Sequence, residues 1–66
     1  MTTFSDQEKL DEIEREITMR RRVYSWQVRN GKLSPDQARR QLDLMLAIKM
    51  DYAAKIEANK PQMELL

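Results

Sequence analysis

Apolar residues recur along this chain with the period of an α-helix in two long segments. From Leu10 to Val28 they return every three or four positions, and the same spacing runs from Ala38 to Ile56. Neither segment is interrupted by Gly or Pro. The pattern therefore predicts two helices, over about residues 5–29 and 34–58.

Each predicted helix begins with a recognisable signal, a serine followed three residues later by Glu or Gln. Ser5 with Glu8, and Ser34 with Gln37, fit this spacing. In such a capping box the two side chains satisfy backbone amides that have no partner at the helix start. Pro35 also suits the first position of the second helix, where a backbone N–H is not needed.

Residues 30–33 separate the two segments. They begin with Asn30-Gly31, a pair that tolerates the left-handed conformation that ends helices. A linker this short predicts an antiparallel helical hairpin. We expect one all-α domain over residues 1–66, with two helices, a corner at 30–33 and a tail at 59–66. The alternative is one helix running through Gly31, since a single Gly costs only about 1 kcal/mol in a helix interior.

The two helices are expected to pack along one stripe each, and we call this contact the seam. A spacing of about 3.5 residues along the stripes predicts a shallow crossing angle. Arg21 and Lys49 interrupt the seam, and Lys49 should lie near Glu14 and Glu16 across the hairpin. The expected seam residues are Leu10, Ile13, Ile17, Tyr24, Val28, Ala38, Leu42, Met45, Tyr52 and Ile56.

The chain has more large apolar residues than the seam can use. A two-helix unit has nothing to cover this surplus, and a chain of this size buries only about 60% of its unfolded surface. We expect a self-association surface and favour a dimer, an antiparallel four-helix bundle, because closed two-fold dimers are the commonest oligomers. A docking face for a foreign protein is the alternative, and the two are compatible. The surplus residues are Met19, Val23, Trp26, Leu44, Ile48 and Met50.

Charge is strongly polarised along the predicted hairpin. Residues 1–19 hold two basic and six acidic residues, residues 20–40 hold seven and one, and residues 41–66 hold three and four. Antiparallel packing therefore collects the basic residues at the corner. Arginine suits bidentate contacts with carboxylates and phosphates, so an acidic protein surface, RNA and single-stranded DNA remain possible partners. The candidate binding residues are Arg20, Arg22, Trp26, Arg29, Lys32, Arg39 and Arg40.

The sequence lacks the residue types that most catalytic sites use. It has no His and no Cys, which removes the usual general base, the thiol nucleophile and the common zinc ligands. Gly31 is the only glycine, so no Gly-rich phosphate loop is present. We expect no catalytic residue, no metal and no cofactor. Without a long apolar run or a secretory signal at the start, we expect no membrane partner and a cytoplasmic protein.

Three stretches resemble small uncharacterised helical-hairpin proteins of phages and prophage regions. These are Glu14–Tyr24, Asn30–Ser34, and a following helix with Ala38 and Tyr52. The family shares a basic stretch ending in Val-Tyr and a short Gly-Lys/Arg-Leu/Met corner, and the likeness covers about residues 12–53. Many members have Pro after the Tyr, where this chain has Ser. The resemblance implies a phage setting in the host-cell cytoplasm and binding to a host or phage protein, and it assigns no site residues.

Overall fold

The structure is a computed structural model, and it describes residues 3–59. Two α-helices, α1 (Asp6–Arg29) and α2 (Pro35–Asn59), make up nearly all of this part of the chain, which contains no strand. The expected all-α class with two helices is confirmed. The helix bounds differ from the expected ones by one residue at each start and at the end of α2. The expected tail after Asn59 lies outside the described residues.

Both helices begin with the capping boxes that the sequence predicts. The Ser5 hydroxyl accepts a hydrogen bond from the Glu8 amide at 3.1 Å, and the Glu8 carboxylate accepts one from the Ser5 amide at 3.1 Å. Ser34 and Gln37 exchange the equivalent bonds at 3.1 and 3.2 Å. These bonds satisfy backbone amides that the helices leave free, which fixes where each helix starts.

The corner is a Schellman motif built around Gly31. Gly31 has a φ of +70°, the left-handed region that residues with a Cβ rarely adopt. Its N–H donates to the Val28 carbonyl at 3.1 Å, and the Lys32 N–H donates to the Gln27 carbonyl at 2.8 Å. The Asn30 side chain donates to the Trp26 carbonyl at 2.8 Å. The helix therefore stops here, and the alternative of one continuous helix through Gly31 does not form.

Three side-chain contacts between the helices show their antiparallel register. The Tyr24 hydroxyl donates to Gln41 near the corner, and two ion pairs follow farther along the hairpin. As the residue number rises on α1, it falls on α2. The contacts are Tyr24 to Gln41 at 2.7 Å, Lys49 to Glu14 at 4.0 Å, and Lys55 to Asp6 at 3.7 Å.

The seam contains the residues that the periodicity predicts, but it is thin. Of the residues that the structure describes, only Leu10, Ile17 and Ala38 are buried, each with at most 9% of its surface exposed. Among residues 3–59 no large side chain is completely enclosed. A helix with a single neighbour can cover only the stripe that faces it. The other seam residues are half-buried: Ile13, Tyr24, Val28, Leu42, Met45, Tyr52 and Ile56.

The two charges expected in the seam behave differently. Lys49 is half-buried and its amine lies 4.0 Å from the Glu14 carboxylate, as predicted. Glu16, the second expected partner of Lys49, is hydrogen-bonded by Arg20 of its own helix. Arg21 is exposed, which corrects the expectation that it interrupts the seam. Burying a guanidinium without a carboxylate partner is costly, so the long side chain extends to water.

Substitution of Gly31 by Ala should lower the free energy of unfolding by about 1 kcal/mol, because a Cβ is unfavourable at a φ of +70°. A Cβ at this position would meet nothing within 4 Å, so the expected loss is conformational and not steric. Gly31→Asn is the matched control and should cost less, since Asn tolerates this conformation. Urea unfolding followed by circular dichroism measures both variants. Equal stability of the two would contradict this account of the corner.

Candidate interaction surfaces

An open groove of about 720 Å³ runs along one side of the hairpin, towards the end where α1 begins. The half-buried seam residues Ile13, Met45 and Tyr52 line it, together with the exposed side chains of Phe4 and Ile48. Glu8, Glu12 and Glu16 also line it, one helical turn apart along α1. We call this side of the hairpin the groove face. Phe4 precedes the first helix and lies outside the periodic pattern, so the sequence gives no signal for its place in the groove.

The six residues expected to mediate self-association are all exposed, from 41% for Ile48 to 69% for Met50. They do not share one face. Leu44 does not line the groove itself; it lies one turn before Ile48 and extends the same side of α2 towards the corner, beside Arg40 and Asp43. Met50 is two residues beyond Ile48, about 200° around the helix, and lies on the opposite side. The set thus contains residues from both sides of α2.

The remaining three residues of that set lie on α1. Val23 is seven residues after Glu16, which lines the groove, so it belongs to the groove face. Met19 and Trp26 flank Val23 along the outer side of α1 and are about half exposed. The helical repeat therefore places Val23 and Leu44 on the same side of the hairpin as Ile48 and leaves Met19 and Trp26 at the edge of that side.

The carboxylates at the open end of the hairpin are mostly engaged within the chain. Glu8 accepts the Ser5 amide, and Asp11 accepts the Gln7 side-chain amide at 2.9 Å. Three others form ion pairs with cations of the same hairpin. These pairs are Asp6 with Lys55 at 3.7 Å, Glu12 with Arg15 at 2.7 Å, and Glu14 with Lys49 at 4.0 Å.

Arg20 belongs to the packing of the hairpin itself, unlike the other candidate arginines. It is half-buried, its Nε donates to Glu16 at 2.8 Å, and its Nη1 donates to the Tyr24 hydroxyl at 3.4 Å. The hydrogen bond to Glu16 raises the pKa of Arg20. The Tyr24 hydroxyl in turn donates to the side-chain oxygen of Gln41 on α2, so the hydrogen bonds of Arg20 continue across the seam. Arg20 was expected among exposed partner-binding residues, and the structure instead places it at the edge of the seam.

The other arginines of the corner end are exposed and lack an internal charge partner. Within residues 3–59 none of them has a carboxylate oxygen within 4.0 Å. They are Arg21, Arg22, Arg29, Arg39 and Arg40.

The helical repeat places four of these arginines on one side of the hairpin. Arg21, Arg22 and Arg29 lie within an arc of about 100° on α1, on the side away from the groove. Arg39 lies on the same side of α2, whereas Arg40 projects from the outer side of α2. We call the side with the four arginines the arginine face.

Trp26 and Lys32 complete the candidate set at the corner. Trp26 is 52% exposed, and the Lys32 amine lies 5.0 Å from the centre of its ring. This distance is that of a cation–π contact, which orders both side chains at the surface. The corner therefore presents a large aromatic ring beside exposed, mostly unpaired cations.

Comparison of the chain with protein-family models, with curated proteins and with solved structures gives no match to any of them. Neither helix within residues 3–59 combines the length and the apolar character needed to cross a membrane. We therefore infer the function from the groove face, the arginine face and the corner.

Replacing Tyr24 by Phe should lower the free energy of unfolding by about 0.5–1 kcal/mol, because Gln41 then loses its donor across the seam and Arg20 loses an acceptor on its own helix. Tyr52→Phe is the matched control. Within residues 3–59 the Tyr52 hydroxyl makes no hydrogen bond, and its ring contacts with Lys9 and Lys55 survive the change. Thermal unfolding of both variants compares them. Equal losses of stability in the two variants would show that the hydrogen bonds of Tyr24 do not stabilise the seam.

Proposed function

We propose that this chain is a non-enzymatic protein-interaction module, which binds an acidic surface of a host or phage protein through its corner end and modulates that partner. One observation carries the proposal. Within residues 3–59 the arginines without a carboxylate partner are concentrated at the corner end, while the carboxylates of the open end are largely paired within the hairpin.

The charge imbalance at the corner has a physical consequence. Asp36 is the only acidic residue among residues 20–40, so the exposed guanidinium groups there repel one another. A partner that supplies carboxylates would relieve this repulsion. It would also form bidentate hydrogen bonds, which arginine makes better than lysine. Complementary charge of this kind steers association and selects the partner.

Trp26 supplies the apolar anchor that such an interface needs. Exposed charges alone contribute little binding energy, because water and salt screen them. A half-exposed Trp can bury a large apolar area, and Trp with Arg are the residues most often found at the energetic centres of protein interfaces. Trp26 lies beside Lys32 at the corner and therefore next to the arginines.

Self-association into a dimeric four-helix bundle is part of the same proposal. Among residues 3–59 only three side chains are buried, and seven large apolar residues outside the seam, Phe4 and the six surplus residues, are at least 41% exposed. A second copy would cover apolar surface that the hairpin cannot cover itself. The phage setting and the host-cell cytoplasm follow from the resemblance of the basic stretch and corner described above.

The triple variant Arg22→Gln, Arg29→Gln and Arg39→Gln should reduce capture of a partner by at least about ten-fold, since three charge-assisted contacts are lost. Tagged full-length chain incubated with bacterial host lysate, with bound proteins quantified by mass spectrometry, provides the measurement. Arg40 stays unchanged because it projects from the outer side of α2.

The matched control removes the same amount of charge from the open end. It changes Lys9, Arg15 and Lys55 to Gln, and capture should stay within about two-fold of the unmodified chain, because these groups lie far from the corner. Circular dichroism verifies that both triple variants remain helical. Equal capture by the two variants would remove the arginines from the proposed site.

Binding of RNA or single-stranded DNA is the second candidate, and the exposed Trp26 beside cations favours it. Bases stack on aromatic rings while arginines contact phosphates. In that case nuclease treatment of the lysate abolishes capture. The affinity for a single-stranded 20-nucleotide probe then falls steeply with salt, by about 0.7 log units per phosphate contact for each ten-fold increase. Those two results together would replace the protein-binding proposal.

A further inference from the structure

We propose that a second copy of this chain covers the groove face and runs in the opposite direction. In this arrangement Leu44 of each copy contacts Ile48 of the other, and Arg40 of each copy pairs with Asp51 of the other. The inference rests on the proposed self-association and adds to it the face, the direction and the register.

The centre of α2 supplies the apolar contact of the proposed dimer. Leu44 and Ile48 are one turn apart on the groove face, and 52% and 41% of their surfaces are exposed. The groove continues their apolar surface over Met45 and Tyr52. A two-fold axis that lies in the interface, perpendicular to α2 and level with the midpoint between Leu44 and Ile48, places each against the other in the second copy, because a two-fold interface repeats every contact.

Two charged residues of α2 determine the relative direction of the two copies. Arg40 and Asp51 are eleven residues apart, about three helical turns, so both lie on the same outer edge of α2. They are almost equally distant from the midpoint between Leu44 and Ile48. Both are exposed, and within residues 3–59 neither has an ion-pair partner.

Antiparallel packing about that midpoint brings Arg40 of each copy to Asp51 of the other, and the symmetry forms the pair twice. Parallel packing would instead bring like charges together, which is unfavourable. The charge distribution of the whole chain favours the same direction. Residues 1–19 have a surplus of four acids and residues 20–40 a surplus of six bases, so antiparallel copies place opposite charges over each other.

This arrangement keeps the two faces of the hairpin separate. The groove face is buried between the copies, while the arginine face, with Arg22, Arg29 and Arg39, points outward on both sides of the dimer. The dimer therefore presents two corner sites for the proposed partner, which would raise the avidity for a partner that has two acidic surfaces.

Sedimentation equilibrium from about 5 to 200 µM tests the face. The unmodified chain should sediment at twice its 7.9 kDa mass. Ile48→Glu should raise the dimer dissociation constant at least about 100-fold, because a buried apolar contact is replaced twice by a charge. Met50→Glu is the matched control, since Met50 is equally apolar and more exposed but lies on the opposite side of α2. It should stay within about three-fold of the unmodified chain.

A charge exchange tests the direction and does not depend on whether Ile48→Glu folds. Arg40→Asp alone or Asp51→Arg alone should each raise the dissociation constant by roughly 3- to 30-fold, because each leaves two like-charged pairs. The double variant with Asp at 40 and Arg at 51 should return to within about three-fold of the unmodified chain. Such recovery requires the two residues to contact each other.

Several results would overturn the inference. A 7.9 kDa monomer over the whole range, with a melting temperature independent of concentration, would leave the groove face to a foreign protein. Dissociation by Met50→Glu with a dimer retained in Ile48→Glu would place the contact on the other side. A double charge variant no better than the singles would exclude this register. Lysate capture by monomeric Ile48→Glu separates the two proposals, because corner binding does not require the dimer.

Discussion

Each helix of this hairpin has one neighbour, so each can bury only the stripe of side chains that faces it. The buried set is accordingly small, Leu10, Ile17 and Ala38, and every other seam residue keeps part of its surface in water. Burial of apolar area is the main favourable term in folding, and it must offset the entropy of ordering 24 and 25 helical residues. The capping boxes, the Schellman corner and the Tyr24–Gln41 hydrogen bond across the seam therefore add stability that so small a core does not supply.

The charged groups at the two ends of the hairpin differ in how they are paired. At the open end the carboxylates meet Lys49, Lys55 and Arg15, and these exposed pairs fix geometry more than they add stability. At the corner end arginines outnumber acids, so most of these guanidinium groups have no carboxylate partner among the described residues. Arg20 is the exception, because Glu16 and Tyr24 lie within one turn on its own helix. Within residues 3–59 the unpaired arginines form no ion pair between the helices, which is why we propose them for binding.

Sequence reasoning predicts the fold well because its determinants are local or periodic. The serine caps, the Asn30-Gly31 stop and the seam are all encoded within a few residues or by the helical repeat. The candidate surfaces are predicted less completely. Periodicity places Arg21 in the seam and Arg20 among the exposed residues, whereas Arg21 is exposed and the contacts with Glu16 and Tyr24 leave Arg20 half-buried. The apolar-rich segment 42–50 leads to Met50 and Ile48 being assigned to one surface although they face opposite sides of α2, and Phe4 lies outside the repeat altogether.

The short corner has a consequence for the kinetics of folding. The segment between the helices, residues 30–34, closes a loop that takes about 10–100 ns to form, and helices extend in nanoseconds per residue. Contacts such as Tyr24 with Gln41 span few residues, whereas Lys55 with Asp6 joins nearly the two ends of the described chain. The hairpin should therefore zip from the corner outward, with low contact order and fast folding. Unzipping follows the reverse path, so backbone amides at the open end should exchange with solvent hydrogen before those beside the corner.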